Sequence, residues 1–199
     1  MTTWILLFIW QAVRESDEKR HSFLISIENI GNGAAKNVQV EWVFDFEKAI
    51  RIVKKLKDYS FSNYDGGFKA TLPGKEKFIH FHYDLFEKLL EYDFVLPRKD
   101  EVFTKACSIP PEILELHVIY ILLKYELYVG NVARSFSEDF EDFPPIKAKA
   151  KYYDIGGKKH TKNFNVKLSS SINSWTEMAI QTNTNNLRFK MYPEFIAEK

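Results

Sequence analysis

The segment at 146–154, IKAKAKYYD, alternates apolar and basic residues. It runs through Ile155-Gly156-Gly157-Lys158 into HTKNFNVKL at 160–168. A period of two belongs to a strand, because successive side chains then leave opposite faces of the backbone. The two glycines permit the backbone angles of a tight connection. The pair therefore predicts a β-hairpin with Lys147, Lys149 and Lys151 along one face and Phe164, Val166 and Leu168 inward. A chain carrying this hairpin must build an antiparallel sheet around it.

Other runs supply the strands. HSFLISIE at 21–28 places Phe23, Ile25 and Ile27 on one face, and NVQVEWVF at 37–44 directs Val38, Val40, Trp42 and Phe44 inward. With the turn NIGNGAA between them, these read as adjacent antiparallel strands. Residues 77–83 form another strand. At 16% of the chain, with 17 Phe and 10 Tyr, the aromatics favour strands and a large buried core.

Two segments change period. Phe46, Ala49, Ile50, Val53 and Leu56 recur every three or four residues behind Asp45, an N-cap type, which predicts a helix over 46–57. A second helix is expected over 110–124, opened by Pro110-Pro111-Glu112 and apolar nearly all round, hence buried. Residues 58–70 read as a loop, 84–92 as a short helix and 135–145 as an acidic loop closed by two prolines. The tail beyond Ser169 is ambiguous, with a short helix at 192–199. With 199 residues, no internal repeat and no low-complexity linker, a single domain over 1–199 is expected.

Composition excludes several classes. Basic and acidic residues balance at 28 against 27, so the chain as a whole is no strongly charged nucleic-acid binder. One Cys excludes an internal disulfide framework and a Cys-rich metal centre. Residues 4–13, WILLFIWQAV, would make a helix of about 15 Å, half the ~30 Å hydrocarbon core of a bilayer. They read as a buried first strand. The alternative is the end of a membrane helix flanked by Arg14, Lys19 and Arg20.

The run FLISIENIGNGAAKNVQV at 23–40 resembles the strand–turn–strand signature Asn-x-Gly-x-Gly-x-Ala of bacterial immunoglobulin-like β-sandwich modules, including the cell-adhesion-related domain of bacteria. The matching positions are Asn29, Gly31, Gly33 and Ala35, followed by Asn37 and Val38, with Ala34 where the family often has Pro. Leu72-Pro73-Gly74 is similar to a later turn of those modules. The likeness covers about twenty residues well and about sixty loosely, and the two helices depart from a plain sandwich of ~100 residues. The chain also resembles bacterial proteins that join this motif to helical insertions and often to an N-terminal membrane helix. The resemblance implies binding or spacing, and no activity.

Candidate chemistry is sparse. His80 and His82 share one strand face, but only Asp84 is in phase as a third ligand. Cys107 and His117 stand ten residues apart with nothing to join them, and a buried thiol is the simpler reading. The acidic run Glu138, Asp139, Glu141 and Asp142 lacks the ligand alternation and central glycine of a calcium loop. Lys147, Lys149 and Lys151, with Lys158 and Lys159 at the turn, form the one dense basic patch, beside Tyr152 and Tyr153. It suits phosphate groups, or equally a solvated face that guards a strand against aggregation.

The expected molecule is mainly β: an immunoglobulin-like antiparallel sandwich with two or more inserted helices and no cofactor. It is expected to be non-enzymatic, a protein-interaction or scaffold module for an unknown protein partner. The lone Cys and lysine-rich surface fit the cytoplasm, at the inner face of a membrane if residues 4–13 anchor it. The alternative is phosphate or nucleic-acid binding through the lysine face, although the neutral charge balance makes a nucleic-acid partner the weaker expectation.

Overall fold

The structure, a computed structural model, describes residues 6–10, 24–29, 33–56, 59–71, 78–83, 89–96, 105–125, 134–179 and 182–197. The chain is mainly β, with two helices among the described residues. In order come β1 (Leu6–Trp10), β2 (Leu24–Asn29), β3 (Ala35–Val43), α1 (Phe46–Lys54), β4 (Ser60–Tyr64), β5 (Gly67–Thr71) and β6 (Phe78–His82). There follow β7 (Leu89–Val95), β8 (Lys105–Ser108), α2 (Pro111–Lys124), β9 (Arg134–Glu138), β10 (Ile146–Tyr153), β11 (Lys159–Ala179) and β12 (Thr182–Ala197).

The strands form three antiparallel sheets among the described residues: β1-β2-β8, β4-β5-β6, and a larger one ordered β12-β11-β10-β3-β7, in which β9 also pairs with β11. The 146–168 hairpin stands at the centre of the large sheet. Its β10 is held between β11 and β3, with Ala148 opposite both Trp42 and Phe164, and Ala150 opposite Val40. Small residues on the central strand make room for large ones on its neighbours, and Trp42, Ala148, Ala150, Ile146, Val166 and Leu168 are all buried on this inner face.

Both helices close over that face. Asp45 caps α1 by accepting from the Lys48 N–H at 2.8 Å, and Phe46, Ala49, Ile50 and Val53 make its buried stripe. Pro111 opens α2, where its missing N–H costs nothing, and Ile113, Leu116, Ile119, Tyr120, Ile121 and Leu123 are all buried. One apolar core joins the large sheet, both helices and the inner residues Phe68, Ala70 and Phe81 of the β4-β5-β6 sheet.

Several expectations are corrected. Residues 60–71 are not a loop but the hairpin β4–β5, turned at Asp65-Gly66 with Gly66 at φ 71°. Within 84–92, residues 89–92 belong to β7, because Leu90 and Tyr92 pair across from Val40 and Val38; residues 84–88 lie outside the described residues, as does the 72–77 turn. Within 135–145, residues 135–138 belong to β9. The tail is strand through Ala197, so the helix expected at 192–199 does not form over 192–197. β2 and β3 are not neighbours in one sheet, since the chain crosses from one sheet to another between them. Leu6–Trp10 is a strand paired with β2 rather than the end of a membrane helix, and among the described residues no helix is long and apolar enough to cross a membrane.

Candidate functional site

The large sheet turns its other face to solvent, and strand register assigns the neighbours there. One row runs Phe94, Lys36, Tyr153, Lys159 across β7, β3, β10 and β11. The next is Glu91, Gln39, Lys151, Thr161, and then Leu89, Glu41, Lys149, Asn163. Val43, Lys147, Asn165 and Ile196 follow, and Lys167 lies opposite Glu194 beyond them.

The alternation of β10 therefore does bring Lys147, Lys149 and Lys151 onto one outer face, but the face is not uniformly basic. Lys151 donates to Glu41 at 3.1 Å, and Gln39 donates to Glu91 at 2.7 Å. Lys158 and Lys159 lie at the hairpin turn and are exposed. That turn is built by Asp154, whose side chain accepts from the Lys158 N–H at 2.9 Å and lies 3.0 Å from His160 Nε2. The His160 contact first, and the Lys158 N–H second, hold the Asp154 carboxyl below its ordinary range. The His160 ring in turn stacks on Tyr152, with centroids 5.1 Å apart.

The same face collects apolar surface. Of eight large hydrophobic residues exposed among the described residues, five belong to these rows: Val43, Leu89, Phe94, Tyr153 and Ile196, each 38% to 50% exposed. Sequence reasoning missed Phe94, Leu89, Val43 and Ile196, and it missed Glu41 as the partner of Lys151. The outward phase of Glu41 and Val43 was readable from the alternation at 37–44. Which strand would lie beside them was not.

The remaining candidates are scattered. His80 and His82 are exposed on β6, in a different sheet, and Asp84 lies outside the described residues. Cys107 sits in β8 opposite Ile25, its side chain outside the described residues, while His117 is buried on α2. Glu138 accepts from Lys124 at 2.7 Å and from Tyr125, and so ties α2 to β9. Among the described residues no group of three His, Cys, Asp or Glu side chains is placed to hold a metal ion. No protein family, curated protein or solved structure matches the chain.

Proposed function

We propose that the chain is a non-catalytic protein-interaction module that binds its partner with the outer face of the large sheet. The observation that carries this reading is the presence of five exposed large hydrophobics on one sheet face, among charges of both signs. Exposed aromatic and aliphatic residues mixed with charges suit a protein partner. The alternative, phosphate or nucleic-acid binding through Lys147, Lys149, Lys151, Lys158 and Lys159, is weaker, because Glu41, Glu91 and Glu194 are interleaved with the lysines and oppose a polyanion. We also read the architecture as an immunoglobulin-like sandwich elaborated by helices. The support is the Asn29 to Val38 motif, whose strands on either side belong to different antiparallel sheets. A cytoplasmic setting is part of the proposal, in keeping with the single Cys.

The test is a photo-crosslinking amino acid placed in the full chain at Leu89 or Tyr153, with Lys48 on the exposed side of α1 as control. Both face positions should give the same discrete adduct in cells, and Lys48 should give none. Adducts that are absent, or identical from all three positions, would reject the proposal.

A further inference from the structure

A second exposed surface lies on the β4-β5-β6 sheet, whose other face carries the buried Phe68, Ala70 and Phe81. Register sets three rows on it: Ser60, Thr71, Phe78; then Ser62, Lys69, His80; then Tyr64, Gly67, His82. Four of the nine side-chain positions are rings, and they touch in series. Phe78 meets His80 edge-on at 4.8 Å, His80 lies 6.2 Å from Tyr64, and Tyr64 stacks with His82 at 5.7 Å and 20°.

Tyr64 is held in place for a structural reason. A Cβ at Gly67 would fall 2.0 Å from the Phe81 carbonyl oxygen and 3.0 Å from the Tyr64 ring, so that carbonyl and the ring share the space the glycine leaves open. Its hydroxyl reaches past Gly67 to donate to the Phe81 carbonyl at 2.6 Å. That hydrogen bond anchors the ring, which remains 39% exposed. Charge is added by Lys69, whose ammonium sits 3.9 Å over the Phe78 ring. None of the three rows contains a carboxylate; the nearest along the described chain is Asp65, in the turn after Tyr64.

We infer that this face is a docking platform for single-stranded nucleic acid, with bases stacking on the Phe78, His80, Tyr64 and His82 series and a phosphate meeting Lys69. Exposed rings on a sheet, joined to positive charge, match a ligand that alternates π-faces with anions. A duplex hides its base faces and has no use for the ladder. The carboxylates that disfavour a polyanion on the large sheet are missing from these rows. This sheet is distinct from the one that carries the proposed protein-binding face.

The experiment is fluorescence anisotropy with the full chain and labelled mixed-sequence single strands of about ten nucleotides, DNA and RNA, at about 50 mM salt, where phosphate contacts are strongest. Saturable binding is expected, at least ~10-fold tighter than to a duplex of equal length. The double substitution Phe78→Ala/His80→Ala, and separately Lys69→Ala, should each weaken it by at least ~5-fold, since stacking and a phosphate contact are lost. Lys147→Glu/Lys149→Glu should leave it within about twofold, because those lysines lie on the other sheet. Phe78 and His80 are exposed, so the unfolding midpoint should hold; if the double variant misfolds, His80→Ala alone carries the comparison. Absence of saturation, equal affinity for duplex, unchanged affinity in the ring variants, or loss confined to the Lys147/Lys149 variant would each overturn the inference.

Discussion

The imidazole of His117 is enclosed by Phe44, Phe140 and Phe143, with ring centroids 5.8, 4.7 and 4.6 Å away. Its Nδ1 lies 2.6 Å from the Ile113 carbonyl, which can only accept, so Nδ1 carries the proton. Burial disfavours the charged ring and pulls its pKa down to about 4, against the upward effect of that hydrogen bond. Unfolding restores the ordinary value of 6.5, so between about pH 6.5 and pH 4 the unfolded chain binds the extra proton. Stability therefore falls as pH drops through that window, by about 3 kcal/mol for a shift of this size. Asp154 and Glu138, both lowered, add their losses at more acid pH, while the raised Glu115 acts in the opposite sense. His117→Leu should flatten the slope above pH 4.5, measured as urea unfolding free energy against pH; an unchanged slope would place the acid sensitivity elsewhere. The hydroxyl of Tyr152 presents the complementary case. It is buried on the inner face of the large sheet with no hydrogen-bond partner among the described residues, and burial raises its pKa, with Asp154 adding to the effect. Tyr152→Phe removes a desolvated polar atom and keeps the ring, so the unfolding free energy should rise by about 1 kcal/mol.

Elements were legible where a single period ran unbroken. The α1 stripe, its Asp45 cap and the β10–β11 hairpin follow from spacing and turn chemistry alone, because each needs only near neighbours. Asp45→Ala leaves the first turn of α1 with an uncapped N–H and should lower the unfolding free energy by about 1 kcal/mol. The segment between β9 and β10 could not be read this way. Both strands pair with β11: Glu138 lies opposite Ser170 and Ile146 opposite Val166, so the β9–β10 side carries more residues than β11 spans. The connection 139–145, seven residues against the three at 167–169, leaves the sheet, with Phe140 at a left-handed φ of 51° that a bulky residue rarely adopts. Its two phenylalanines enter the space beside α2, where Phe143 lies 4.8 Å from Tyr120. Read as sequence, SEDFEDFPP is an acidic loop; the buried Phe pair matters only because a strand far along the chain sets the register. Glu138 then fixes the end of this arrangement. Burial alone would raise its pKa, but hydrogen bonds from Lys124 and Tyr125 hold it below the ordinary value. Phe143→Ala should cost roughly 3–4 kcal/mol in urea unfolding, a core-sized penalty for a residue in a polar segment; a loss below about 1 kcal/mol would show that the loop only rests on α2.

The whole molecule depends on contacts that no local pattern carries. Trp42 faces Ala148, more than a hundred residues on, and Tyr59 donates to the Leu123 carbonyl at 2.7 Å. The exposed faces inherit the same dependence: alternation shows that Lys149 points outward, but only the pairing of β3 with β10 and β7 puts Glu41 and Leu89 in its row. Between the large sheet and the β4-β5-β6 sheet, α1 and α2 fill the core, with Phe46 stacked on Tyr83 at 4.7 Å and Phe44 edge-on to Phe46 at 4.9 Å. Buried residues of both sheets belong to one continuous apolar core, so the two sheets should unfold as one unit. Phe68→Ala, on β5, tests this at a distance. The truncation removes a fully buried ring and should cost roughly 3–5 kcal/mol. If the sheets share one transition, native-state hydrogen exchange should report that loss at the slowest amides of β5 and equally at those of β10, to within about 0.5 kcal/mol. If β5 amides accelerate while β10 amides keep their original protection, the small sheet is a separately opening unit.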